Sequence, residues 1–160
     1  MITAAQIIPL GLMIPVLVCV GYNDLRSMRI PNILSLVAVG LFLVSVPFVP
    51  FSEVLFRLLA ATIVFAIGFA FFAFGLFGGG DVKILAALTL FVPSQSLTLF
   101  ALVFSGSMLL GIVAITVWQW TPLLRSDGWA ASQSKGQFAM GISIALSGVL
   151  HFLIMLLGFL

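Results

Sequence analysis

The sequence predicts an all-α integral membrane protein with about six transmembrane helices, one of them short. Hydrophobic residues make up 63% of the 160 residues and charged residues only 6%, and the mean hydropathy is +1.38. Soluble domains usually carry about a quarter charged residues, so the composition excludes a soluble enzyme or binding module. The apolar residues form long runs, and helices satisfy their own backbone hydrogen bonds in lipid. We expect one domain over residues 1–160.

The apolar runs predict six spans, since a crossing needs about 20 helical residues. They are Ala4 to Gly21, Ile33 to Phe51, Val54 to Phe77, Val82 to Val92, Leu97 to Trp118 and Gln137 to Leu160. No Lys or Arg precedes the first run, which favours a retained span over a cleaved signal peptide. The fourth run corresponds to about 16 Å of helix, well short of a hydrocarbon core of about 30 Å.

The basic residues predict the orientation of these spans. If all six segments cross, one side carries Arg26, Arg29, Lys83, Arg125 and Lys135. Only Arg57 then falls on the other side. The positive-inside rule makes the five-charge side cytoplasmic and places both termini outside. If the fourth segment did not cross, the excess of basic residues on one side would be smaller. We therefore retain six crossings.

Four polar residues inside the apolar runs have plain structural interpretations. Glu53 and Arg57 are four residues apart, which predicts an ion pair along one helix with no catalytic role. Cys19 is the sole cysteine, so an intrachain disulfide is excluded and a buried thiol is expected. His151, in the last span, is expected to be packed and hydrogen-bonded, and no metal site is predicted.

Small and aromatic residues predict helix contacts and one loop. Small residues at helical spacing are expected to let the last two spans approach closely. They are Gly106, Gly111, Ala139, Ser143 and Ser147. The connection from Gln119 to Gly136 is expected to be a solvated loop anchored by Trp129.

Two aspartates stand in short polar motifs at the predicted cytoplasmic ends of spans. Asp24 lies in GYNDLRSMRIPN at residues 21–32, and Asp81 lies in GGGDVK at residues 78–83. Ionisable groups near hydrocarbon are costly and are functional candidates by default. Two neighbouring carboxylates cannot both ionise cheaply, so one can take a proton from water while the other donates one to a carbonyl. The sequence does not assign which aspartate is the base, because coupled carboxylates titrate as a pair.

The motif neighbours are compatible with such a site. The glycines Gly78, Gly79 and Gly80 allow positive φ and close approach by a substrate or the partner carboxylate. Pro31 is tolerated in a first helical turn, and Asn32 is expected to hydrogen-bond locally. Arg26, Arg29 and Lys83 could bind anionic headgroups, balance the charge of the aspartates or bind an acidic substrate group. Either motif alone is also common in ordinary turns and connectors between spans.

Together, the segments DLRSMRIPN at 24–32 and GGGDVKILAA at 78–87 resemble the type IV prepilin peptidases, which are membrane aspartic proteases. The resemblance implies that Asp24 and Asp81 are catalytic, that no cofactor or metal is needed, and that a basic leader is removed from a prepilin or pseudopilin at the cytoplasmic face of the bacterial inner membrane. The resemblance also implies contacts with membrane lipids and with pilus-assembly machinery. It implies no nucleic-acid partner. Because the chain has one cysteine and no paired Cys-x-x-Cys region, it resembles the short, peptidase-only branch of tight-adherence (Flp) systems, and N-methylation is not expected.

Two other functions remain open at the level of sequence. A presenilin-like intramembrane protease also uses a Gly-x-Gly-Asp motif, although the polar residues after Asp24 favour a site at the membrane surface. A small transporter subunit would use the aspartates as ion or proton ligands. The spans contain almost no other ionisable groups, which disfavours transport.

Overall fold

The computed structural model describes residues 4–121, 128–134 and 138–158 and contains seven α-helices in these ranges. They are α1 (Ala4–Ser27), α2 (Asn32–Ser45), α3 (Phe51–Ala73), α4 (Gly79–Thr89), α5 (Leu97–Trp120), α6 (Ala130–Gln133) and α7 (Met140–Leu157). No strand occurs in the described residues. Four helices, α1, α3, α5 and α7, are long and apolar enough to cross a membrane, and the segment Asn32–Phe48 is a shorter apolar helix. The chain is therefore an all-α membrane protein, as the sequence predicts.

Several helix boundaries differ from the predicted ones for identifiable reasons. Helix α1 continues past Gly21 to Ser27, so the first aspartate motif begins inside a helix. Helix α2 ends at Ser45 in a 3-10 turn, Val46–Phe48, because Pro47 and Pro50 cannot donate the backbone hydrogen bonds of a continuing helix. Helix α3 ends at Ala73, and Gly75 follows at φ +73°.

The short helix α4 lies among longer ones and forms the centre of the core. It packs against α3, α2 and α7, while α1 packs against α7 and α2. Ile84 and Leu88 of α4 are fully buried, as are Leu17 of α1 and Ile144 of α7. Large apolar side chains on the outer faces of the long helices are exposed, as expected where lipid is the solvent. This packing brings the helices that carry Asp24 and Asp81 against the same third helix, α7.

The prediction that Cys19 is buried is wrong. Its side chain is exposed, because the buried face of α1 follows Leu10, Met13, Leu17 and Val20. Cys19 falls on the opposite, outward face of this helix. Lipid accepts a thiol as readily as a protein core does, so apolar sequence context does not distinguish the two environments.

Close packing of the last two spans is confirmed at one of the predicted glycines. A Cβ on Gly111 would clash with Ser143 Oγ, whereas a Cβ on Gly106 would meet nothing within 4 Å. Helices α5 and α7 therefore approach closely at Gly111, and Gly106 has no such role.

The connection after α5 is only partly the solvated loop that the sequence predicts. Helix α6 packs against α1 and α5. Ala131 and Ser132 are buried, and Gln119 Nε2 donates to the Ala131 carbonyl at 2.8 Å. Trp129 contacts Tyr22 edge-on at a centroid distance of 5.8 Å, so it does anchor the segment. Arg125 and Lys135 lie outside the described residues.

The predicted pair of Glu53 and Arg57 is confirmed, but it is part of a buried network. Arg57 is fully buried and donates to Glu53 at 3.1 Å and to the Gln6 carbonyl at 2.9 Å. Glu53 also accepts hydrogen bonds from the backbone N–H and the hydroxyl of Ser94, each at 2.7 Å. These contacts join α1, α3 and the connection between α4 and α5 at the end of α4 opposite Asp81.

We expect Arg57→Ala to lower the free energy of unfolding by about 3 to 5 kcal/mol, because it leaves the Glu53 carboxylate buried without its cation. Denaturant titration in detergent micelles measures this effect. Arg26→Ala is the control, because Arg26 is exposed. Equal stability of the two variants would contradict a structural role for the network.

His151 is packed and hydrogen-bonded, as predicted. It is fully buried, its Nε2 lies 3.1 Å from Ser96 Oγ, and its ring meets Phe100 edge-on at 5.5 Å. Ser96 follows the end of α4 that is remote from Asp81. His151 therefore joins α7 to the start of α5.

Candidate active site

Asp24 lies in the last turn of α1 and is 4% exposed. Its carbonyl accepts the backbone N–H of Met28 at 2.8 Å, and Met28 at φ 51° ends the helix. The continuation of α1 past Gly21 therefore places this carboxylate inside the helical bundle and not in the connector that follows.

The start of α7 holds the carboxylate of Asp24. The backbone N–H of Gly141 donates to Asp24 Oδ2 at 2.5 Å, and the backbone N–H of Ile142 interacts with the same carboxylate. These are first-turn amides, which have no acceptor within their own helix. The positive end of a helix dipole also favours an anion at this position. Asp24 thus caps α7 from another helix.

Gly141 leaves almost no space for a side chain beside Asp24. A Cβ built on Gly141 would lie 2.8 Å from Asp24 Oδ2 and 2.9 Å from both its Cβ and Cγ. No role for Gly141 is predicted from the sequence. The available signal was weak, namely a glycine in the first turn of an apolar span.

Asp81 is in the first turn of α4, where Gly78 is the N-cap. Its Oδ1 is buried and has no hydrogen-bond partner in the structure. The carboxylate instead interacts with the backbone N–H groups of Gly78 and of Asp81 itself. The prediction that Asp81 begins a short helix is confirmed.

The glycines before Asp81 serve close approach and not positive φ. Gly78 has φ −74°, which any residue adopts. A Cβ on Gly78 would lie 2.5 Å from Asp81 Oδ2, and one on Gly80 would lie 3.1 Å from the Cβ of Ile30. None of the three glycines therefore adopts the positive φ that the sequence allows. Their lack of a side chain brings the two motifs into contact.

The two aspartates interact electrostatically although 57 positions separate them in sequence. Burial of Asp81, together with the negative charge of Asp24, raises the pKa of Asp81 to about 7. Asp81 therefore keeps its proton to a higher pH than an exposed aspartate does. This is the arrangement that acid and base catalysis by two carboxylates requires.

The polar residues around the aspartates connect the motifs to each other. Lys83 Nζ donates to Asn32 Oδ1 at 2.9 Å, so the predicted local hydrogen bond of Asn32 is replaced by a contact with the other motif. Pro31, in extended conformation, caps α2. Among the described residues, no ion pair joins either aspartate to a basic side chain.

The remaining basic residues of the first motif face outward. Arg26 Nη1 donates to the Tyr22 hydroxyl at 2.6 Å, and Arg26 Cζ lies 5.7 Å from the centroid of the Tyr22 ring. Arg29 is exposed. Tyr22 in turn packs on Trp129, so the folded part of the long connection lies beside the first motif.

Comparison with known protein families relates the greater part of the chain to one family. The family model described as the type IV leader peptidase family matches residues 11–117, which include both Asp24 and Asp81. Neither the curated proteins nor the solved structures yield a match to the chain. The matched segment covers more than half of the sequence and carries the aspartate pair that the fold brings together. The chain is therefore a membrane peptidase that belongs to the type IV leader peptidase family.

Proposed function

We propose that this protein removes the leader peptide from Flp-type prepilins or pseudopilins by activating water between Asp24 and Asp81. The observation that carries the proposal is that buried Asp24 and half-buried Asp81 lie close enough for their carboxyl groups to interact, in a chain of the type IV leader peptidase family. No cofactor enters this mechanism, because the two carboxyl groups supply both the base and the acid.

The different surroundings of the two aspartates support an assignment of roles. Asp24 accepts backbone hydrogen bonds at the start of α7, which offset part of the cost of ionising this buried carboxyl group, so we assign it as the base. Asp81 has a buried oxygen without a partner and a pKa raised to about 7, so it holds the proton as the acid.

The proposed reaction proceeds through a tetrahedral intermediate. Asp24 takes a proton from water, the water oxygen bonds to the scissile carbonyl carbon, and Asp81 gives its proton to the carbonyl oxygen. The C–N bond then breaks as Asp24 passes its proton to the leaving nitrogen. Asp81 recovers a proton from the intermediate hydroxyl as the new carboxylic acid forms. Both side chains end in their starting states.

The positive-inside pattern supports placing this reaction at the cytoplasmic face of the inner membrane, with both termini outside. Arg26 and Lys83 lie at the aspartate ends of α1 and α4, and Arg29 lies in the connection that follows α1. Arg57 lies towards the opposite end of the bundle. Substrate delivery would then involve membrane lipids and the pilus-assembly machinery on that side.

Co-expression with a small Flp-type prepilin in bacterial membranes tests the proposal. We expect the wild type to remove the leader, which a gel shift detects, and we expect Asp24→Asn and Asp81→Asn each to abolish removal at equal membrane levels. Cleavage that persists in both variants would refute the mechanism. N-terminal sequencing of the product shows whether the cut separates the leader from the mature chain.

A presenilin-like reaction within the membrane is the alternative, and one observation favours it. Asp24 is a buried residue of a continuous helix and not a surface loop residue. A cut among apolar residues deep in a substrate helix would support this alternative. A cut at the boundary between the polar leader and the apolar segment would exclude it.

A further inference from the structure

The side chains of Asn32 and Lys83 join the two aspartate motifs by one hydrogen bond. Lys83 Nζ donates to Asn32 Oδ1 at 2.9 Å. Asn32 is the first residue of α2, and Lys83 follows Asp81 by two residues in α4. Both residues are exposed, so the burial of polar atoms does not require this bond. Its effect is to tie the start of α2 to the start of α4.

The segment that leads into α2 contacts α4 at a second point. A Cβ on Gly80 would lie 3.1 Å from the Cβ of Ile30 and 3.2 Å from the Ile30 carbonyl oxygen. The backbone of Ile30 therefore lies against the residue that precedes Asp81. Residues 30–32 are thus attached to α4 on both sides of Asp81 in the sequence, which fixes their orientation as well as their distance from α4.

The separation of the two aspartates depends on the helices that α1 and α4 share as neighbours. These shared neighbours are α2 and α7. Helix α7 joins α1 and α4 about two turns away from Asp24, where a Cβ on Gly148 would approach Leu17 of α1 and Leu88 of α4. Helix α2 joins them at the aspartate end, because it follows α1 after residues 28–31 and is bonded to α4 through Asn32.

A separate aromatic contact holds the other end of α2 on the core. Phe42 of α2 meets Phe91, which follows α4, edge-on at a centroid distance of 5.8 Å, and both side chains are buried. Loss of the Asn32–Lys83 bond therefore leaves this end in place. Two residues of helix correspond to about 200° of rotation, so Lys83 and Asp81 lie on nearly opposite faces of α4. The bond consequently acts on the Asp81 carboxyl group through the helix backbone.

Resting on the proposed function, we propose that Asn32 and Lys83 are positioning residues, whose hydrogen bond holds α2 on α4 so that Asp24 and Asp81 keep the separation that catalysis requires. When the bond is lost, the start of α2 moves away from α4 and water reaches the first turn of α4. The core contact of α2 persists, so the chain stays folded while the aspartates move apart. A displacement of a catalytic group by about 1 Å can cost 100-fold in rate.

Asn32→Leu tests this proposal, because leucine has a similar size and no acceptor. We expect kcat for prepilin to fall at least about tenfold with little change in KM, since the aspartates and not the bound substrate are displaced. Lys83→Met is expected to cause the same loss, and the double variant no further loss, because both substitutions remove one bond. Asn32→Asp is expected to keep kcat, because its carboxylate accepts from Lys83. The matched control is Gln95→Leu, which replaces an exposed amide beyond the far end of α4 and is expected to keep the wild-type kcat.

The pH profile of kcat distinguishes positioning from a general effect on the fold. In the proposed mechanism Asp81 must be protonated, and burial together with the charge of Asp24 raises its pKa to about 7. No other charged group has this effect on Asp81, since Arg29 is exposed, α2 has no charged residue, and the ion pair of α3 and the histidine of α7 lie at the far end of the bundle. Loss of the bond weakens both causes. We therefore expect the alkaline decline of kcat to move to lower pH in both single variants.

Denaturant titration at pH 8 measures the same effect without a substrate. If the bond keeps Asp81 buried beside Asp24, Asp81→Asn stabilises the chain less in the Asn32→Leu background than in the wild type. An equal gain in both backgrounds would overturn the positioning role, whether or not the wild type cleaves prepilin. If the wild type cleaves and Asp81→Asn does not, a wild-type kcat in both single variants would also overturn it. So would a lower kcat with an unchanged pH profile, because the bond would then support the fold alone. A smaller gain in a chain that cleaves no prepilin would refute the proposed function and retain the effect of the bond on Asp81.

Discussion

Asp81→Asn is expected to abolish cleavage and, above pH 7, to make the folded protein more stable. The variant removes the acid of the proposed mechanism. It also removes a charge that the fold disfavours, since burial and the charge of Asp24 raise the pKa of Asp81 from 3.8 to about 7. At 1.36 kcal/mol for each pKa unit, the gain in the free energy of unfolding is at most about 4 kcal/mol.

The pH dependence of this gain distinguishes it from a general packing effect. Below about pH 4, Asp81 is protonated in both the folded and the unfolded chain, so the substitution has little effect. As pH rises to about 7, the unfolded chain ionises while the folded chain keeps its proton, and the wild type loses stability relative to the variant. Above pH 7 the difference is constant.

Denaturant titration in detergent micelles at pH 4, 5.5 and 8 measures this prediction. Glu53→Gln is the matched control, because it makes the same change from acid to amide at a carboxylate that is paired with Arg57. We expect this control to lower stability at pH 8. A gain for Asp81→Asn that is equal at all three pH values would contradict the assignment of the raised pKa to Asp81.

Gly141→Ala is expected to reduce kcat by about 100-fold or more while the chain stays folded. The new Cβ would lie within 3 Å of the Cβ, Cγ and Oδ2 atoms of Asp24, so rotation of the carboxylate alone does not relieve the contact. The hydrogen bond from Gly141 N–H would be displaced with it. A displacement of a catalytic group by about 1 Å can cost 100-fold in rate.

Two other glycine substitutions separate this effect from loss of the fold. Gly106→Ala has free space around the new methyl group, and we expect it to leave both kcat and stability unchanged. Gly111→Ala places a methyl group against the hydroxyl of Ser143, and we expect it to lower stability by disturbing the contact of α5 and α7. If Gly141→Ala lowered stability as Gly111→Ala does but kept the wild-type kcat, Gly141 would be a packing residue only.

Much of the fold could be predicted because helices that contact lipid must have apolar side chains. Apolar runs of helical length must cross or line the membrane, so the long spans follow from hydropathy. The prolines at 47 and 50 and Gly75 explain why α2 and α3 are shorter than their apolar runs. The placement of Asp24 and Asp81 at the same end of their helices could be anticipated from the predicted spans, whereas the burial of Asp24 could not.

Other features of the structure could not be predicted from hydropathy or from local motifs. Which face of α1 contacts protein is decided by its packing with α7, and Cys19 consequently faces outward. The burial of Arg57 depends on acceptors from Gln6 and Phe91, which are far from it in sequence. The folding of α6 against α1 depends likewise on contacts with Gln119 and Tyr22.

The sequence by itself determined the fold class, the order of the apolar helices and the pair of acidic motifs, because each follows from local composition and spacing. Only the tertiary structure decided how the two aspartates differ. Asp24 receives its hydrogen bond from Gly141, 117 positions away, while Asp81 keeps an oxygen without a partner. Such differences arise from contacts between helices that are distant in sequence. An apolar helix face can pack against lipid or against any other helix, so its sequence does not specify its neighbour.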